Sequence, residues 1–195
     1  MENEVNEPVP KYNYVTPADY LSMERKSQHK HEYWQGEVFA MSGASWNHNV
    51  IARNLNTIVL PFLKGKPCSM FGSDLRIHIP ENTLYTYPDF SIICGVPETT
   101  DEEQDTVIKP AAIIEILSPT TKSYDRGDKF NLYRQIPTLQ EYILIDSETV
   151  SVEHFIKTNV HEWVLTEWKD ITQSFTIKTV GMPVALQELY LDIKF

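Results

Sequence analysis

Residues 110–119 read Pro-Ala-Ala-Ile-Ile-Glu-Ile-Leu-Ser-Pro. A nearly continuous apolar run bounded by prolines is the pattern of a central strand buried on both faces. Period two puts Ile113, Glu115 and Leu117 on one face and Ile114 and Ile116 on the other. An ionised glutamate inside such a strand is costly unless it is paired, hydrogen-bonded or bound to a metal. Glu115 therefore marks a site, and its face is expected to be the working one.

The neighbouring segments supply partners. Upstream, Tyr87 to Cys94 reads as another strand, with Asp89 near its start. If the two strands are neighbours, the two carboxylates can meet. Two hard oxygen ligands plus water suit Mg²⁺ or Mn²⁺ far better than zinc. Such an ion can polarise a phosphodiester and activate water. The alternative is purely structural: Glu115 pairs with Lys129 or Arg126, and Asp89 caps a turn. Downstream, a helix over 123–135 carries Asp125, Lys129 and Tyr133 four residues apart, hence on one face. Lys129 is placed to point back at Glu115, where an ammonium can orient water and stabilise developing phosphate charge. An Asp125–Lys129 surface pair is the plainer reading.

The rest of the chain builds around this centre. Residues 1–13 read as a loose leader, and 14–195 as a single domain. Thr16-Pro17 is an N-cap followed by a first-turn proline. Glu32-Tyr33-Trp34 and Glu37 to Met41 flank Gln35-Gly36 as a hairpin. Ser45 caps a helix in which His48, Ala52, Leu55, Val59 and Phe62 recur at helical spacing. Ser69 to Ile79 reads as one strand, and 95–109 as a solvated acidic loop. Strands are expected over 141–145, 150–157, 161–169 and 175–178, and a closing helical turn over 186–189. The expected class is α/β (α+β), a mixed β-sheet flanked by helices with an additional β-hairpin region.

Composition narrows the function classes. With 42% hydrophobic and 23% charged residues, the chain is neither disordered nor fibrous. No window approaches the roughly 18–20 uncharged apolar residues of a membrane helix, and the acidic start is unlike a signal peptide, so a cytoplasmic location is expected. Cys68 and Cys94 are too few for a disulfide framework and lack zinc-site spacing, so both read as buried strand residues. A net charge of −10 argues against coating nucleic acid by bulk attraction. A local basic rim plus a bound metal can still reverse the potential at a carboxylate-rich site.

The motifs Tyr33-Trp34-Gln35-Gly36-Glu37, His48, Ser73-Asp74-Leu75-Arg76, Tyr87-Pro88-Asp89, Glu115-Ile116-Leu117-Ser118-Pro119, Tyr124-Asp125-Arg126-Gly127-Asp128-Lys129, Tyr133 and Glu141-Tyr142 run through most of the chain. Together they resemble the Uma-two family, bacterial proteins described as restriction endonucleases of the PD-(D/E)XK superfamily. The resemblance implies a restriction-endonuclease-like fold, with Pro88-Asp89 as the first half of the signature and Glu115 as the second. The superfamily pattern expects lysine two residues after that acid, where this chain has Leu117. The resemblance thus implies a lysine moved onto the next helix, at Lys129. Glu37 could add a carboxylate near the metal or be an exposed strand acid. His48 could exchange a proton near the site or be a satisfied, half-buried histidine.

Three functions follow as expectations. The first is a metal-dependent DNA endonuclease with Asp89 and Glu115 as ligands and Lys129 as electrostatic helper. The others are a non-catalytic DNA-binding or assembly module of the same fold, and a nuclease for RNA or structured DNA. Cutting both strands would favour a homodimer.

Overall fold

The computed structural model describes residues 14–195, so the leader expected over 1–13 lies outside the described residues. Helix α1 (Pro17–Glu24) leads into strands β1 (His31–Trp34) and β2 (Glu37–Ala40), then helix α2 (Trp46–Leu63). Strands β3 (Cys68–Gly72), β4 (Arg76–Ile79), β5 (Leu84–Thr86), β6 (Phe90–Cys94), β7 (Thr106–Val107) and β8 (Ala112–Leu117) follow. After β8 the chain turns through α3 (Lys122–Tyr124), a π-helical segment (Asp125–Lys129) and α4 (Phe130–Tyr133). The chain then forms β9 (Glu141–Asp146), β10 (Val152–Asn159), β11 (Glu162–Trp168), β12 (Ser174–Ile177), β13 (Met182–Ala185) and α5 (Leu186–Leu189).

Six strands form the principal sheet, in the order β11-β10-β9-β8-β6-β3. Only the β8–β9 pair is parallel, so the sheet is mixed. A second sheet runs β2-β1-β5-β4-β7, and β12 with β13 makes a separate hairpin. Every residue of β8 is buried, as its apolar run requires. On one face Ile114 and Ile116 pack with Ile51, Leu55 and Val59 of α2 and with the C-terminal Leu186 and Leu189. On the other, Ile113 and Leu117 pack with Phe130 and Tyr133 from the α3–α4 arm and with Ile77 and Ile79 of the second sheet. The expected mixed sheet flanked by helices, with an added hairpin region, is the fold observed.

Local chemistry explains the elements that carry the site. Ser45 Oγ accepts a hydrogen bond from the His48 amide at 3.3 Å, capping α2 one turn before its apolar stripe begins. The β1–β2 hairpin turns on Gln35 and Gly36, both at positive φ, as a two-residue loop with right-handed strand twist demands. Gly36 also has no room for a side chain: a Cβ would lie 2.1 Å from a ring carbon of Tyr14.

Three expectations need correction. The strand expected over Ser69–Ile79 is broken by a turn in which the Leu75 amide donates to the Gly72 carbonyl, and its halves join different sheets. The loop 95–109 is not wholly solvated. Thr106 and Val107 are buried as β7, where Thr106 Oγ1 accepts from Arg76 Nε at 2.9 Å, and acidic neighbours Asp101 and Asp105 hold Arg25 at 2.5 and 2.8 Å. Cys68 and Cys94 both lie on strands, but Cys94 is exposed and the two are joined by a disulfide. The antiparallel register of β3 on β6 sets them directly opposite each other, which their separation of 26 residues does not reveal. Among the described residues no helix is long and apolar enough to cross a membrane.

Because this bond closes a chain segment in the unfolded state, Cys94→Ser is expected to cost about 2–4 kcal/mol of stability. Urea unfolding with and without reductant measures it. Two thiols that alkylate freely in the unreduced, folded protein would contradict the bond.

Candidate active site

The register of the principal sheet brings the two acids together. Phe90 pairs with Ile114 across the antiparallel β6–β8 ladder, so one residue further out Asp89 faces Glu115. Residues opposite each other in such a pair share a face. The Asp89 amide donates to Glu115 Oε2 at 3.1 Å, and the Ile116 amide donates to Asp89 Oδ2 at 2.7 Å. His48, from the first turn of α2, places Nε2 3.1 Å from the same Oδ2.

The arm after β8 completes the floor. Lys129 closes the π-helical segment, a wide turn of a kind that often marks functional sites. Lys129 is only 5% exposed, and its Nζ lies 2.9 Å from Glu115 Oε1, 3.3 Å from Glu32 Oε1 and 3.7 Å from Asp125 Oδ1. Tyr133, one turn on, donates its hydroxyl to Glu115 Oε1 at 2.9 Å. Glu32 arrives from β1 and accepts from the Thr86 hydroxyl. Asp89, Glu115, Lys129 and His48 thus converge at one end of a cavity of about 770 Å³ that Glu32, Asp125 and Tyr124 also line.

Three carboxylates around one buried ammonium, with Asp89 beside Glu115, set the electrostatics. Burial pushes the Glu115 carboxyl up to about 7; Lys129 opposes this, and the nearby Asp89 and Asp125 charges add to it. Burial likewise raises Asp125, against the pull of Lys129. For Lys129, burial alone would lower the pKa, but the acids beside it, Glu115 first and then Glu32 and Asp125, outweigh it and hold the ammonium protonated. His48 is raised in the same manner: burial disfavours its charge, and the hydrogen bond and charge of Asp89 prevail.

Among the described residues no group of three or more His, Cys, Asp or Glu side chains forms a metal cage. A closed cage is what structural zinc needs; Mg²⁺ usually keeps several waters and takes one or two carboxylates. Both contacts to the Asp89 carboxylate fall on Oδ2, leaving Oδ1 without a partner among the described residues. Glu115 Oε1 is taken by Lys129 and Tyr133, while Oε2 accepts only the Asp89 amide. One oxygen of each acid is therefore available, and the pair fits a water-rich hard cation.

Other candidate residues lie elsewhere. Glu37 is exposed at the turn end of the hairpin and does not line the cavity. It shares a hairpin face with Glu32, and Glu32 sits farther from the turn, where the strand meets the site. Alternation along the hairpin puts both acids on one face and does not separate them. Asp74, from the Ser73-Asp74-Leu75-Arg76 motif, pairs with Lys30 at 2.6 Å, and Arg76 holds Tyr87 and Asp105.

The raised Glu115 carboxyl has a stability signature. Its folded value of about 7 lies above the ordinary 4.5. Between these values the folded state keeps a proton that the unfolded state has released, so stability falls as pH rises through this window and levels off above it. Glu115→Gln cannot ionise and should gain on the parent protein over the same interval. Urea midpoints of both proteins at about pH 5 and about pH 8 measure the gain. A constant difference would assign the proton elsewhere.

Comparison with known proteins places this arrangement. A family model, Uma2, described as "Putative restriction endonuclease", matches residues 17–185, a span that includes every residue of the site. An uncharacterized protein of Synechocystis sp. is 35% identical over 188 residues, covering 96% of both chains. A second from the same organism is 40% identical over 153 residues, covering 78% of this chain and 86% of its own. A crystal structure from Anabaena variabilis, of a "putative nuclease belonging to DUF820", superposes with a TM-score of 0.73 over 90% of this chain and 97% of its own. At 16% identity that likeness shows the fold alone, the mixed α+β architecture described above. The motif resemblance thus holds across nearly the whole chain, and the chain belongs to the Uma2 family.

Proposed function

We propose that this protein is a metal-dependent endonuclease that hydrolyses DNA phosphodiester bonds, with Asp89 and Glu115 holding Mg²⁺ or Mn²⁺. The observation that carries this reading is the junction of the two acids, joined by the Asp89 amide on Glu115 Oε2 with Lys129 2.9 Å away on the other oxygen. The family description and the solved structure named for a nuclease support the reaction class.

When bound, the ion supplies positive charge that polarises the phosphate and lowers the pKa of water. The chain's own groups prepare for it. His48 and the Ile116 amide fix one Asp89 oxygen, so the other points in a single direction. Tyr133 and Lys129 fix Glu115 in the same way. The Lys129 ammonium stands beside the acids, where a cation can answer charge developing on the phosphate.

One observation favours the non-catalytic reading. Lys129 already has three carboxylate neighbours, and Leu117 is packed in the core where the superfamily lysine would stand. Cleavage of circular DNA, which has no ends, separates the two. Supercoiled plasmid and single-stranded circles incubated with Mg²⁺ or Mn²⁺ should open, and chelator should stop the reaction. Asp89→Asn and Glu115→Gln should abolish it. Lys129→Ala should cost roughly 10²–10³ in rate while calorimetric metal binding survives, and Lys129→Arg should rescue poorly because a planar fork replaces a point charge. Parent-rate cleavage by folded Lys129→Ala would remove Lys129 from the mechanism, and intact circles under all conditions would favour the binding module.

A further inference from the structure

Charged groups form the floor of the cavity, with two exposed aromatic side chains lining it and a third in the hollow beside it. Phe39, 45% exposed, and Tyr124, 38% exposed, line the cavity from the hairpin and from the arm after β8. Trp46, 79% exposed, begins α2 two residues before His48 and lines an adjoining hollow with Pro119. The two hollows interleave along the chain: Ala44, His48, Ser118 and Thr121 face the cavity, and Trp46 and Pro119 face its neighbour. The Tyr124 ring centre lies 5.9 Å from Lys129 Nζ, within one nucleotide's reach of the point where the ammonium would meet a phosphate.

The cations around the mouth are already engaged. Of the two lysines lining the cavity, Lys30 pairs with Asp74 at 2.6 Å and Lys129 is enclosed by acids. On the flanking arm, Lys122 pairs with Glu148 and Arg126 with Glu153. A duplex is held mainly through Lys and Arg on many phosphates, and its bases are stacked on one another inside. Among the described residues both lysines lining this mouth are paired with acids, and its exposed rings are ones that a duplex cannot use. A single strand can use those rings, because unpaired bases stack on aromatic side chains whatever their sequence. The floor is also recessed, with Glu115 only 4% exposed, so the phosphate must descend to it. A flexible strand can bend into the cavity, whereas a stiff duplex must be distorted first.

We propose that the substrate is single-stranded DNA, its bases stacking on Trp46, Phe39 and Tyr124 while one phosphate reaches Asp89, Glu115 and Lys129. This rests on the nuclease reading for the phosphate and on the exposed rings for the bases. The test is fluorescence anisotropy of an end-labelled oligonucleotide, alone and annealed to its complement. It is run in Ca²⁺ with the strand checked intact on a gel, for the parent, Trp46→Ala, Trp46→Phe and Tyr124→Ala. The single strand should bind more tightly than the duplex and hold on as salt is raised. Trp46→Ala and Tyr124→Ala should each weaken it roughly five- to hundredfold, with Trp46→Phe close to the parent and all melting temperatures unchanged. Equal or tighter duplex binding, no binding to either form, or alanine variants within about twofold of the parent would overturn the proposal. Cleavage of circular DNA in Mn²⁺, run in parallel, keeps the two readings apart. Ring-dependent strand binding without cleavage upholds the aromatic mouth and rejects the nuclease. Duplex cleavage as fast as single-strand cleavage, and unaffected by Trp46→Ala, does the reverse.

Discussion

The buried pair of Glu115 and Lys129 is the constraint around which the structure is arranged. Neither group is left in the interior without partners: Lys129 Nζ meets Glu115, Glu32 and Asp125, and Glu115 also accepts from Tyr133 and the Asp89 amide. The acid lies in the central strand and the lysine on the arm that follows, so the pair ties the arm to the sheet at one point. Tyr133 adds a hydroxyl to the same oxygen, and Phe130 and Tyr133 bury their rings beside it in the apolar layer. Polar and apolar contacts therefore specify one docking position for the arm. The remaining carboxylates, Glu32, Asp89 and Asp125, exceed what one ammonium can neutralise, and that excess turns a structural ion pair into a candidate cation site.

The sheet supplies geometry that no local signal contains. Asp89 and Glu115 are 26 positions apart and meet because β6 and β8 are antiparallel neighbours in one register. A slip of one residue would put Asp89 on the opposite face. Buried side chains on both faces of β8 resist that slip, and the disulfide between β3 and β6 fixes the other end of the β6 ladder. The residues that hold the site in place thus lie partly at the far end of the strand from it.

Much of this was legible in the sequence for a physical reason: a lone acid in an apolar strand has few permitted explanations. The buried strand, its period-two faces, the Ser45 cap, the Gln35-Gly36 turn and the four-residue spacing of Asp125, Lys129 and Tyr133 are local properties, and local chemistry dictates them. What was missed depends on pairing. The run 69–79 looks continuous and yet crosses between two sheets, because its break at Ser73–Leu75 is set by which neighbour each half finds. Thr106-Val107 hides inside an acidic loop because its burial comes from Arg76 and β4. Glu32 and Glu37 share a hairpin face, and only the seating of the hairpin on β5, where Tyr33 pairs with Tyr85, decides which acid enters the cavity. The π-helical segment has no sequence signature beyond Gly127 in its middle.

A buried lysine carried by the arm, where the strand has Leu117, makes the cation depend on how the arm is docked. At position 117 a lysine would be delivered by the sheet itself, whereas Leu117 fills that volume with core packing alongside Ile113 and Tyr142. Lys129 reaches the acids only while the arm is docked, so the cation is present when the layer under Phe130 and Tyr133 is intact and is lost when the arm loosens. Undocking would also strip Glu115 of two of its three hydrogen-bonding partners and leave its charge in the strand. A carboxyl in that state binds a proton more readily, because the group that opposed the effect of burial has left. Arm docking, lysine position and the ionisation of Glu115 are therefore one coupled equilibrium, and a cation that binds ionised Glu115 favours the docked arm only so far as its attraction to the acids exceeds its repulsion by Lys129.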